Sequence, residues 1–237
     1  MNHFNPSLVV AAVGSALMAL AATAHAVPLN NAFAAQPFLD TSLSGTTSAA
    51  RPELSGTVVA DTQQAFTFTG LGISGTVQNR VVREDISGTL DFYWRVQVDP
   101  RSTGGGVSAF RLGDFGYAYL TDADWRIDGF GTVAPFVARL FNPASQPGGA
   151  INFLFTDPAV GPGNLETGDG GSRYFFLHTD ATAFAMTATY DLLGGPDQTL
   201  SGGFTTYAPA VPEPASALLM AFGLTAVGWA LRRRSRA

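Results

Sequence analysis

Cysteine and lysine are both absent from the 237 residues. Without cysteine the chain has no disulfide framework, no thiolate metal site and no cysteine nucleophile, so its stability has to come from packing. Without lysine every basic residue is an arginine, and four of the thirteen stand in the last six residues. Between Val27 and Val211 nine arginines face seventeen aspartates and glutamates, a formal balance of −8. No basic cluster lies in that region, which argues against a nucleic-acid partner, because phosphate neutralisation needs one. Histidine is nearly missing too, and His178 is the one histidine beyond residue 26. No G-x-S-x-G elbow occurs, and a lone histidine at the end of an expected strand leaves hydrolase chemistry without a visible carrier. The chain is expected not to be an enzyme, with no catalytic residue and no cofactor beyond a candidate calcium site.

Long apolar runs are confined to the two ends. Leu8 to Ala22 is a stretch of small and aliphatic residues followed by Ala24-His25-Ala26. Ala24 and Ala26 satisfy the small-residue rule of signal peptidase, so cleavage is expected after Ala26, with Val27 as the new N-terminus. The segment before the run has no Lys or Arg, only His3 and the α-amino group, so its positive charge is weak. At the other end Val211-Pro212-Glu213-Pro214 precedes the apolar run Ala215 to Leu231, and Arg232-Arg233-Arg234-Ser235-Arg236-Ala237 follows. Pro212 and Pro214 fix their own φ and push Val211 and Glu213 out of the α region, which predicts an extended, accessible motif. As a helix the run would reach about 25 Å, a marginal span for a hydrocarbon core of about 30 Å. Trp229 suits the interface, and the arginines are expected to stay on the cytoplasmic side.

This tail resembles the PEP-CTERM sorting signal of Gram-negative bacteria, with Pro212, Glu213 and Pro214 matching the triplet that names it. The resemblance covers about the last tenth of the chain. It implies a membrane-embedded cysteine protease of the exosortase type as partner, with Pro212, Glu213 and Pro214 as its recognition residues and Arg232, Arg233 and Arg234 as the retention stop. It also implies a route: the Sec translocon and signal peptidase, an inner-membrane intermediate held by the C-terminal helix, then the cell surface or extracellular matrix. An association with exopolysaccharide or biofilm is the expectation that follows.

The stretch between the two signals is long enough for one domain with a substantial core. Frequent glycine, many aromatics, recurring Thr and Val and few charges suit short strands joined by tight turns. Strands are expected at 64–68, 75–82, 88–98, 107–112, 125–127, 136–141, 151–155, 173–178, 183–192 and 199–207. Alternation is clearest where Leu90, Phe92, Trp94, Val96 and Val98 share one face, which predicts one buried and one wet face. The fold class is therefore all-β, a single antiparallel β-sandwich, jelly-roll-like, between an N-terminal signal helix and a C-terminal transmembrane helix. The expected division is a signal peptide over 1–26, a loosely held arm over 27–50, the sandwich over 51–207, a linker over 208–211 and the sorting signal over 212–237. A Leu/Ile-Ser-Gly-Thr tetrad starts at 43, 54, 73 and 86, and its irregular spacing of 11, 19 and 13 excludes a solenoid. It reads as a series of turns leading into strands. Gly70-Leu71-Gly72-Ile73-Ser74-Gly75 matches G-x-G-x-x-G formally, yet strand-like sequence follows where a helix should open, so it also reads as a turn.

Two residue sets are candidates for binding. Asp122, Asp124 and Asp128 cluster within seven residues and are candidate calcium ligands, although Arg126 and Ile127 break the EF-hand pattern. Solvated turn acids are the plainer reading. Tyr93, Tyr117, Tyr119 and Trp125 are candidates for stacking on sugar rings, with Tyr93 on the strand face opposite Trp94. A carbohydrate-binding or calcium-assisted adhesion module is thus the alternative to a plain matrix protein. No N-x-S/T acceptor with a permitted middle residue occurs.

Overall fold

The computed structural model describes residues 27–29, 37–116, 120–142, 150–156, 165–166, 168–195 and 197–210. The expected signal helix, the transmembrane run and the Pro-Glu-Pro motif lie outside them. Among the described residues no helix is long and apolar enough to cross a membrane.

Thirteen strands are described: β1 Val27–Pro28, β2 Phe38–Ser42, β3 Gly56–Phe68, β4 Ile73–Glu84, β5 Leu90–Val98, β6 Val107–Gly113, β7 Leu120–Trp125, β8 Val137–Phe141, β9 Ala150–Leu154, β10 Phe175–Thr179, β11 Phe184–Gly194, β12 Thr199–Leu200 and β13 Phe204–Pro209. They form two antiparallel sheets. The first runs β1-β7-β10-β5-β4-β3; the second runs β12-β11-β6-β9-β8-β2, with β13 also on β11. Their inner faces close over one core, as period-2 alternation dictates. Trp94 sits in that core against Phe110, Phe115, Phe153 and Phe175, with ring centroids 5.5 to 6.4 Å apart. Its Nε1 donates to Thr206 Oγ1 at 2.9 Å, and that hydroxyl donates to Asn79 Oδ1, also at 2.9 Å. One chain of polar groups thereby joins β5 and β4 to β13 across the sandwich, fully buried.

The outer face of the second sheet stays wet, and its register is written in charge. Asp191, Arg111, Asn152, Arg139 and Asp40 lie directly opposite one another across β11, β6, β9, β8 and β2. Arg111 pairs with Asp191 and Arg139 with Asp40, both at 2.6 Å. Opposite charges facing across strands reward this register.

Three expectations are corrected. The arm over 27–50 is, in its described part, built into the fold: Phe38–Ser42 is a strand paired residue for residue with β8, and Val27–Pro28 pairs with β7. Its Ala, Ser and Thr content hid a short edge strand. Ala208 and Pro209, assigned to a linker, close β13, where Ala208 is buried. The wet face expected for β5 is only partly wet, since Asp91 and Tyr93 are buried along with Leu90, Phe92 and Trp94. The tetrads split as well. Gly45, with φ of 78°, is a turn glycine, but Gly75 lies inside β4, where a Cβ would stand 2.0 Å from Gln97 O and against the Phe66 ring. Gly70 and Gly72 do form the turn between β3 and β4.

Candidate functional site

The site lies on the outer face of the first sheet. The phase that turns Trp94 inward turns Asp91, Tyr93 and Arg95 outward, together with Val82 and Glu84 of β4, Phe176 and His178 of β10, and Asp122 and Asp124 of β7. Residues 46–55 cross this face as a strap. Thr46 N donates to Trp125 O at 2.9 Å and Ile127 N to Thr46 O at 2.8 Å, anchoring its start. Pro52 opens the 3-10 turn Pro52–Leu54, a position suited to its fixed φ. Leu54 then closes a second apolar cluster with Val82, Tyr93, Tyr174 and Phe176. Arg51 holds the strap by charge: its guanidinium takes both oxygens of Asp122 at 3.1 and 3.0 Å, bonds Glu53 at 2.8 Å and lies 5.9 Å over the Phe176 ring.

At the end of this face three side chains converge. His178 stands directly opposite Asp91 on one side and Asp122 on the other. Glu84 follows Val82, the partner of Asp91, by two residues and so reaches the same spot. His178 Nδ1 is 2.7 Å from Asp91 Oδ1 and 2.9 Å from Glu84 Oε1. The hydrogen bond is to Asp91, and Glu84 Oε1 is left buried without one. The other oxygens are held from behind, Glu84 Oε2 by Ser87 Oγ and by Thr89 Oγ1 at 2.9 Å, and Asp91 Oδ2 by the Tyr93 hydroxyl at 3.3 Å. Burial pushes the Asp91 carboxyl up to about 6, against the pull of the His178 hydrogen bond. Burial alone would lower His178, but its bond to Asp91 and the charges of Asp91, Asp122 and Glu84 prevail and raise it. Burial beside Asp91 also pushes the Tyr93 phenol well above its ordinary value.

Beside the strap opens a cleft of about 500 Å³, lined among others by Arg80, Arg126, Asp128, Phe130 and Tyr174. Phe130 is 71% exposed. Tyr174 lies between Arg80 and Arg95, at 5.0 and 6.0 Å, and Arg95 also covers the Phe130 ring at 5.6 Å. An aromatic surface edged by guanidinium and carboxylate groups can stack on a sugar ring and hydrogen-bond its hydroxyls.

The three candidate calcium ligands are not brought to one point. Asp122 is taken by Arg51, and Asp124 Oδ1 accepts from Gly45 N at 2.7 Å and Trp125 N at 2.9 Å. Asp128 is held by Arg126 and by Ser48, contacts that keep its carboxyl far below the usual range, the Arg126 bond foremost. Burial raises Asp124. Among the described residues the metal-ligating set whose atoms converge is Glu84, Asp91 and His178. Of the stacking candidates, Tyr93 is buried under Leu54 and cannot meet a glycan in this state. Trp125 is half-buried, with Arg173 over its ring at 5.4 Å and Gly45 pressed against it. Tyr117 and Tyr119 lie outside the described residues. Phe130 and Tyr174, which the sequence did not single out, line the cleft instead. Their signal was faint, since a phenylalanine beside glycine and a tyrosine leading into a strand both read as core.

Fold and surface together define an all-β sandwich protein whose chain leaves the last strand at a C-terminal tail. A family model, the PEP-CTERM protein-sorting motif, matches residues 210–234 of that tail. The chain thus carries a PEP-CTERM protein-sorting motif, and the motif supports exosortase-dependent export to the cell envelope. The match covers the tail and not the sandwich. No curated protein and no solved structure matches this chain.

Proposed function

We propose that this protein is a non-enzymatic component of the cell envelope or extracellular matrix, delivered through its tail and retained in exopolysaccharide or biofilm. The observation that carries this reading is the sorting motif over 210–234 placed directly behind a folded sandwich, whose last sheet hydrogen bond among the described residues runs from Ala210 N to Ala183 O. Signal peptidase acting at Ala26, Sec export and a membrane-held intermediate complete the route. The nested pairings β5 with β10 and β6 with β9 support the jelly-roll-like reading of the sandwich. The test is the intact mass of the protein recovered from the extracellular matrix, beside a Glu213→Ala variant. The expected product starts at Val27 and lacks the segment beyond Ala215, while the variant stays in the membrane at higher mass. Retention of Arg232 to Ala237 in both forms would reduce the tail to a plain anchor.

The cleft favours a second reading, a carbohydrate-binding module displayed by the same route, because Phe130 presents an exposed ring beside Tyr174, Arg126 and Asp128. Polysaccharide pull-down by wild type and by Phe130→Ala, each with and without chelator, separates the two. Equal retention of both proteins speaks for the plain matrix role. Loss in the variant alone speaks for the module, and loss with chelator makes it cation-assisted.

A further inference from the structure

We propose that Glu84, Asp91 and His178 bind one divalent transition-metal ion of the zinc class. One ligand atom from each of the three side chains falls within 4.8 Å of the other two. Two atoms that share an ion at about 2.0–2.1 Å lie about 2.9–3.4 Å apart. Glu84 Oε1 already stands 2.9 Å from His178 Nδ1, and Asp91 Oδ1, at 2.7 Å, has to give way by roughly half an ångström.

Hydrogen bonding points the same way. The Glu84 side chain is 1% exposed and that of Asp91 0%, so two carboxylates face one imidazole out of water. The one imidazole nitrogen facing both carboxylates is hydrogen-bonded to Asp91, and Glu84 Oε1 makes no hydrogen bond. A buried carboxylate oxygen without a donor is costly, and an ion would satisfy it together with both neighbours.

The supporting groups are those of a ligand shell. Ser87 and Thr89 fix the far oxygen of Glu84, and Tyr93 that of Asp91, which leaves Oε1 and Oδ1 aimed at His178. Donor type sets the metal. An imidazole nitrogen with two carboxylate oxygens suits zinc and its neighbours, whereas calcium asks for six to eight oxygens. His178, its side chain 17% exposed, is the side from which an ion and a completing water could arrive. The site is separate from Asp122, Asp124 and Asp128, and it does not depend on the function proposed above.

The test uses the full chain in detergent, free of any histidine tag, stripped with chelator and dialysed against zinc or calcium. Bound metal is measured by mass spectrometry and stability by thermal melting. The expected result is about one zinc per chain, no retained calcium, and a melting temperature raised by several degrees with zinc. His178→Ala and Glu84→Gln should each abolish retention, and Thr89→Val should weaken zinc binding by about 10–100-fold. Glu84→Gln carries the decision if the histidine variant fails to fold, because it keeps the side-chain volume and removes one of two facing charges. It should melt at or above wild type with chelator and below wild type with zinc. A purely structural hydrogen-bond role would not reverse that order. The proposal is overturned if wild type retains less than about a tenth of a zinc per chain, or if Glu84→Gln retains as much as wild type.

Discussion

At Thr206 one hydroxyl serves both Trp94 Nε1 and Asn79 Oδ1, each at 2.9 Å and fully buried. Thr206→Val keeps the volume and strands both partners, so it should cost about 2–4 kcal/mol in urea unfolding, whereas Thr206→Ser should cost less than half as much. Titration offers a second expectation at this scale, for the metal-free protein. Asp91 binds its proton more tightly folded, at about 6, than unfolded, at 3.8, so its burial cost is full above pH 6 and fades as the pH falls. His178 is raised, so its contribution is complete below its ordinary value of 6.5 and is lost as the pH rises through its folded value. Both groups, faced by Glu84, Asp122 and Arg51, make the protein more stable near pH 5 than near pH 8. Below about pH 4 the sign reverses, because Asp128 is lowered and its contribution is lost in acid. Melting curves in chelator across this range should show a maximum between the two limbs, and His178→Gln should flatten the alkaline one. Little of this site was legible beforehand. Alternation placed Asp91 opposite the Trp94 face, but its meeting with His178, 87 residues away, is set by the pairing of β5 with β10, which no local pattern encodes.

Among the elements, β5 was read within two residues because its apolar face is unbroken, and β4, β6, β8, β9 and β11 were found with ends displaced by one or two residues. β7, expected at 125–127, lies at Leu120–Trp125, and two other misses share a cause. The first half of β3 carries polar, small or exposed residues on both faces, and in β2 Phe38 and Leu39 are only half-buried, so the membership of both rests on edge pairing rather than on burial. The strap was invisible for a related reason, since Leu54 is its one buried hydrophobic residue and its other holds are polar, among them Thr46 to Trp125 and Ile127, Arg51 to Asp122 and Ser48 to Asp128. Leu54→Ala should therefore cost about 2–4 kcal/mol and loosen the strap first. Hydrogen exchange should show faster exchange at Leu54 N and Ser55 N with that of β5 unchanged. The surface ion pairs of the second sheet are worth less, about 0.2–1 kcal/mol each, and act mainly on register.

For the molecule as a whole, the last sheet contact among the described residues, at Ala210, is the expected limit of the chain that the sandwich needs. A protein ending at 210 should melt within about 2 °C of one ending at 237. One ending at 203 loses β13, with Thr206 and Ala208, and should fail to fold cooperatively. The position of β13 has a mechanical consequence too. If the tail holds the protein at the membrane as proposed, any drag on the sandwich enters through Ala210 and runs into a strand paired with β11 from Phe204 to Pro209. A pull along that strand loads its hydrogen bonds together rather than one after another, so the attachment point can bear shear from flow or from a moving polymer without peeling the fold open.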